Sequence, residues 1–151
     1  MTRLITKEGL KKIQEELEHR KGQLRQEIAR AIKEAKEQGD LSENAEYAEA
    51  KRQQNENENR IAELEITLKN SEVAERDESA AGVQIGSKVK VKYDGSVMEF
   101  RIVGTNEANP SEMKISNESP MGKAFMGHAK GDEVVVETPS GKVTYEILNV
   151  S

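Results

Sequence analysis

The stretch EQGDLSENAEY, residues 37–47, lies between two long helical patterns and decides how they can be arranged. On its N-terminal side Leu10, Ile13, Leu17, Leu24, Ile28, Ala31 and Ala35 recur at intervals of three, four and seven, which holds one stripe on one helix face. Arg20 falls where that stripe calls for an apolar residue. Thr6 stands where an N-cap would, and Gly39 follows the pattern as a C′ glycine would. On the C-terminal side Tyr47, Ala50, Gln54, Asn57, Ile61, Leu64, Leu68 and Ser71 alternate three and four, a heptad seam with a polar middle. Two such helices joined by a short turn must run antiparallel. Residues 38–43 are then the tip of a rod roughly 45 Å long, at about 1.5 Å of rise per residue over about 30 residues.

After Ser71 the period changes. AERDESAAG, residues 74–82, is small and polar and reads as a linker. Alternating runs follow, SKVKVKY at 87–93 and VMEFRIVG at 97–104, joined through Asp94-Gly95-Ser96, a strong hairpin signal. KISNES at 114–119 and EVVVETPSGKVTYEIL at 133–148 supply further strands, the latter turning at Pro139-Ser140-Gly141. Between them SPMGKAFMG at 119–127 reads as a short helix with Ser119 as N-cap and Pro120 at its first position. The expected fold is α+β in two domains. Residues 1–74 form an antiparallel helical hairpin, 75–82 a linker, and 83–151 a small domain with one antiparallel sheet.

Composition bounds the function. Of 151 residues, 34% are hydrophobic and 34% charged, which suits a thin-cored helical element better than one large spherical core. There is no cysteine, so disulfides and thiolate metal sites are excluded. His19 and His128 stand far apart and read as surface or packing residues. The N-terminus lacks an apolar targeting core and no apolar run is long enough to span a membrane, so a cytoplasmic protein without membrane association is expected. A net charge of −5, with acids in excess in both halves, argues against independent nucleic-acid binding. The hairpin shows a single seam with no second apolar stripe, so a monomer is expected.

Asp40 and Glu43 at the tip admit two readings. In the first they form a capping box, Asp40 accepting from the amide three residues on and Glu43 reaching back to the Asp40 N–H. In the second they bind a divalent cation, but two carboxylates cannot complete the octahedral oxygen shell of Mg²⁺. A site shared with another molecule would resolve that shortfall, and it would also account for a rod of this length. The two readings are compatible, because a capping carboxylate keeps free lone pairs.

The run QGDLSENAEYAEAKRQQ closely resembles the tip of the bacterial Gre-type transcript cleavage factors. The resemblance extends to TKEGLKKIQEEL near the N-terminus and to ISNESPMGKAFMGHAKGDEVVVETPSG, which looks like that family's FKBP-like C-terminal domain. It implies a factor that binds RNA polymerase at the rim of its secondary channel and inserts the coiled coil to bring the tip near the active site. There Asp40 and Glu43 would help hold a Mg²⁺ ion of the polymerase, shared in the complex and not held by the factor alone. The polymerase would then hydrolyse its own backtracked transcript near the RNA 3′ end, by the logic of two-metal phosphoryl chemistry. The factor would not itself be an enzyme. The resemblance also implies that Lys36, Lys51 and Arg52 face the extruded RNA, and that Ser119, Pro120, Met121 and Gly122 meet the polymerase rim. Asn44 would orient the turn, and Tyr47 would brace the tip as a seam residue.

Two competing functions stand beside this one. A related channel binder could inhibit or compete without stimulating cleavage. An FKBP-like topology could instead indicate a prolyl isomerase, but such a pocket calls for many aromatics and this domain has two Phe and two Tyr.

Overall fold

The computed structural model of the chain describes residues 2–40 and 44–151. It divides into two compact units, Leu10–Asn70 and the combination of Met1–Gly9 with Ser71–Ser151. The sequence boundaries therefore shift at both ends of the hairpin. Arg3–Ile5 forms a strand, β1, that pairs in parallel with Ser71–Val73, β2, in the register Arg3↔Ser71 and Ile5↔Val73. Ser71 is accordingly a strand residue and not the last position of the seam, and residues 75–82 group with the sheet-bearing unit. Ile5 is 2% exposed, and the Ile5 carbonyl accepts from the Ala74 N–H. A three-residue strand whose partner lies beyond a whole hairpin leaves no local period to read.

The helical unit is a hairpin of two limbs. The first comprises α1 (Lys7–His19), a wide π-helical stretch at Arg20–Leu24, and α2 (Arg25–Glu37); the second is α3 (Ala45–Lys69). Thr6 caps α1 as its position suggests, its Oγ1 accepting from the Gly9 N–H at 3.0 Å. Gly39 follows the α2 C-cap Gln38 with φ +115°, a backbone conformation that favours glycine. Leu17, Ile61 and Leu64 form a buried cluster with Ile13 and Leu68 against it, each buried aliphatic contributing about 1.5–3 kcal/mol. Charges bracket this thin seam. Arg25 makes a bidentate pair with Glu58 at 2.7 and 3.0 Å, Arg60 reaches both oxygens of Glu16 at 3.2 Å, and Lys21 pairs with Glu65. One expected seam member is displaced: Ala31 is exposed and Ile32 is half-buried in its place.

The other unit is built on a five-stranded sheet in the order β5-β4-β3-β7-β6. Its strands are β3 (Lys88–Tyr93), β4 (Ser96–Val103), β5 (Lys114–Ser116), β6 (Glu133–Thr138) and β7 (Gly141–Val150). Alternation in KVKVKY buries Val89 and Val91 completely and leaves the lysines outside. Asp94 (φ 48°) and Gly95 (φ 79°) turn the β3–β4 hairpin with both central residues at positive φ, as the type I′ preference for Asp-Gly predicts. The sheet is mixed rather than wholly antiparallel, because β5 runs parallel to β4. The crossover through Thr105–Glu107 and Pro110–Glu112 returns the chain to the same end of the sheet, where a tight hairpin would have reversed it. The short helix α4 (Pro120–Phe125) inserts Phe125, fully buried, into a core with Phe100, Ile102, Val134, Val136 and Ile147. Among the described residues no helix is long and apolar enough to cross a membrane.

Candidate functional site

Small side chains shape the free end of the hairpin. Ala35 and Ala50 are 2% and 4% exposed, so the two limbs approach closely there. They line a groove of about 430 Å³ together with Glu34, Glu46 and Glu49, whose carboxylates make this end acidic. Beyond the groove, Asn44 ties the limbs together. Its Oδ1 accepts from the Tyr47 N–H at 3.1 Å, capping α3, and its Nδ2 donates to the Ala35 carbonyl at 2.7 Å. That carbonyl also receives the Gln38 N–H at 3.2 Å. Tyr47 is half-buried on the seam in the first turn of α3.

This geometry corrects one expectation about the tip. The N-cap of α3 is Asn44, not Asp40, so the second limb begins one turn later than a capping box on Asp40 requires. The chemistry explains the choice, because an amide can accept from one limb and donate to the other, whereas a carboxylate can only accept. Asp40 is exposed in the connection between the limbs. Glu43, the other candidate acid, lies outside the described residues.

The three basic candidates differ in their surroundings. Lys36 is exposed near the end of α2. Lys51 donates from Nζ to Gln54 Oε1 at 2.9 Å. Arg52 grips Glu49 through Nε (2.9 Å) and Nη2 (2.7 Å), and reaches Glu56 through Nη1 (2.7 Å). Those hydrogen bonds, first to Glu49 and then to Glu56, raise the Arg52 pKa, while Arg52 holds the Glu49 carboxyl below the usual carboxylate value. One cation thus sits between two anions on an exposed surface, where solvent screens each pair.

In the sheet-bearing unit Ser119, Pro120, Met121 and Gly122 each have an architectural role. Ser119 Oγ accepts from the Gly122 N–H at 3.0 Å and donates to the Ser116 carbonyl at 2.7 Å. Pro120 is the first helical residue and Met121 packs on the core. A Cβ on Gly122 would lie 1.9 Å from the Ser116 carbonyl oxygen, so only glycine fits. His128 faces Asp132 at 3.3 Å, in keeping with a surface pairing role.

Sequence reasoning missed Glu107. Its carboxylate accepts from the Thr6 N–H at 2.9 Å, the Gly104 N–H at 3.0 Å and the Thr6 hydroxyl, fastening the N-terminal strand to the sheet-bearing unit. Gly9 and Gly104 belong to the same junction. Added Cβ atoms there would meet Glu107 Oε1 and the Leu4 carbonyl oxygen, each at 2.0 Å. No spacing signal links residues so far apart in the chain.

Residues 3–73 match the family model described as transcription elongation factor, N-terminal, and residues 78–151 match the C-terminal model for GreA/GreB transcription elongation factors. The chain belongs to the GreA/GreB family. Transcription elongation factor GreA of Thermoanaerobacter pseudethanolicus is 50% identical, the match covering 97% of this chain and 96% of that one. The same factor of Acetivibrio thermocellus is 49% identical, over 97% and 94%. A crystal structure of GreA factor homolog 1 from Thermus thermophilus is 30% identical and covers 100% of this chain and 99% of that one, with a TM-score of 0.45. The protein is a transcription elongation factor, and the Gre-type resemblance of the tip string and of the C-terminal sequence is borne out.

Proposed function

We propose that this factor binds RNA polymerase, passes its hairpin through the secondary channel, and stimulates the polymerase's own cleavage of backtracked transcripts, acting in the cytoplasm as a monomer. The observation that carries the reading is the tip: an exposed Asp40 at the end of a long hairpin whose limbs are joined just beyond it by Asn44. Carboxylate oxygens are the donors that Mg²⁺ prefers. Asp40 and Glu43 are too few to hold the ion alone, which fits a site completed by the polymerase. When bound there, the ion would activate the attacking water, and a second ion of the polymerase would stabilise the leaving oxygen. The factor's contribution is to place two acceptors at a set position, and so it does not act as an enzyme by itself. Lys36 and Lys51 would lie beside the extruded RNA 3′ segment, where cations offset phosphate charge. Arg52 would join them by releasing Glu49 or Glu56. The Ser119–Gly122 turn would face the channel rim, its glycine and proline keeping the surface close to the sheet.

The test is RNA release from stalled, backtracked polymerase with Asp40→Asn. Asp40 is not the α3 cap, so the hairpin should fold normally while stimulated cleavage falls by at least about tenfold, the low end for disturbing a metal site. Normal cleavage by a folded Asp40→Asn protein would sink the metal reading. A wild-type protein that displaces a cleavage-competent factor yet yields no shortened RNA would instead identify a competing binder.

A further inference from the structure

The seam of the first limb changes phase partway along. Before the wide stretch at Arg20–Leu24 the inward residues are Leu10, Ile13 and Leu17, all buried or half-buried. Heptads continued from Leu10 and Ile13 would place Glu27, Ala31 and Glu34 inward, and all three are exposed. The inward positions are instead Ile28, Ile32 and Ala35, each one residue later. The opposite limb shows no such change. Tyr47, Ala50, Gln54, Asn57, Ile61, Leu64 and Leu68 stay on the seam without a break. One limb therefore contains one residue more than its partner's repeat accounts for, and a π-helical turn is the device that absorbs a single extra residue within an α-helix.

Asn57 faces that turn. It is 3% exposed, and both ends of its amide are occupied by one residue of the opposite limb. Its Nδ2 donates to the Arg20 carbonyl at 3.1 Å and its Oδ1 accepts from Arg20 Nη1 at 3.1 Å. Grooves of about 210 and 250 Å³ lie against Asn57. Gly22, in the middle of the turn, has open space around it, so it is not there to make room for a neighbour.

We propose that the wide turn at Arg20–Leu24 and the buried Asn57 form one positioning device. The turn absorbs a one-residue skip in the first limb, and the Asn57 amide clasps it, setting the rotational phase in which α2 delivers Asp40 to the tip. A polar residue inside a helical seam commonly sets register at some cost in stability. Here it is matched to a main-chain irregularity that apolar packing alone would not select. The purpose assigned to the device rests on the reading under Proposed function; the device itself does not.

The experiment uses the full chain, which has no native cysteine, with pairs of spin labels at Lys33 and Ala48 in the distal half and at Lys12 and Ala62 in the proximal half. Deleting Gly22 should turn the wide stretch into regular α-helix and leave both distance distributions as in the parent. Deleting Arg30, outside the turn, should rotate everything beyond it by about 100° and shift the distal distance by roughly 5 Å or more. Asn57→Leu should broaden the distal distribution in the parent, and the broadening should vanish when Gly22 is also deleted, since a regular helix needs no clasp. An equal distal shift for the Gly22 and Arg30 deletions would overturn the skip. Equal broadening by Asn57→Leu with and without Gly22 would overturn the coupling. These distances are read without polymerase, so normal cleavage by Asp40→Asn would refute the functional reading and leave this result standing.

Discussion

Asn44→Ala removes two hydrogen bonds made by one side chain at the free end of the hairpin, and its effect can be worked from the structure. Loss of an N-cap costs about 1 kcal/mol, and a neutral hydrogen bond such as Nδ2 to the Ala35 carbonyl contributes about 1 kcal/mol more. The second figure is not enlarged by a desolvation penalty, because the Gln38 N–H still serves that carbonyl at 3.2 Å. The sum, about 2 kcal/mol, corresponds to a roughly 30-fold rise in local opening of the tip. Native-state hydrogen exchange at the Tyr47 amide reads that opening directly, with the amide of buried Leu64 as an internal reference. Asn44→Ser keeps the cap and loses the donor, so it should fall about fivefold short of wild-type protection. Asn44→Asp also keeps the cap, but turns a carboxylate toward the Ala35 carbonyl and should be worse than Ser. Tyr47 exchange within twofold of wild type in Asn44→Ala, or equal effects of Ser and Ala, would refute the account of Asn44 as a clasp between limbs.

Other outcomes follow from the same geometry. Gly122→Ala must displace the Ser116 backbone, which a Cβ would approach to 1.9 Å, and should cost about 3 kcal/mol in urea unfolding of the sheet-bearing unit. Glu107→Gln turns one acceptor oxygen into a donor facing donors at Thr6 and Gly104; exchange at those amides should rise as about 1–3 kcal/mol is lost. Glu16 is held below its ordinary value near 4.5, first by its hydrogen bond from Arg60 and then by Arg20. A depressed folded-state value means a contribution present above that pH and lost as the pH falls through the lower folded value. Helical unfolding midpoints should therefore drop below about pH 4.5 by no more than about 1 kcal/mol, and Glu16→Gln should flatten that dependence.

Most of the architecture is legible because it is periodic. The uninterrupted intervals from Tyr47 to Leu68 determine α3 and its buried face, and the alternation around Asp94-Gly95 determines the β3–β4 hairpin. The tip string marks the candidate acids and, through its resemblance, the family. What escaped is non-local. The strand Arg3–Ile5 finds a partner only after the hairpin has returned the chain, and Glu107 finds Thr6 only through that return. The cap at Asn44 rather than Asp40 depends on a carbonyl in the opposite limb.

The amino-acid sequence by itself determined that two amphipathic helices meet at residues 38–43 and that an acid pair stands there, since side-chain period and turn chemistry are properties of neighbours along the chain. Tertiary structure alone decided the rotational phase of the first limb and the residue that ties off its tip. The cause lies in packing: Ile28, Ile32 and Ala35 face inward, and Asn44 reaches Ala35, only once a second helix is present to receive them.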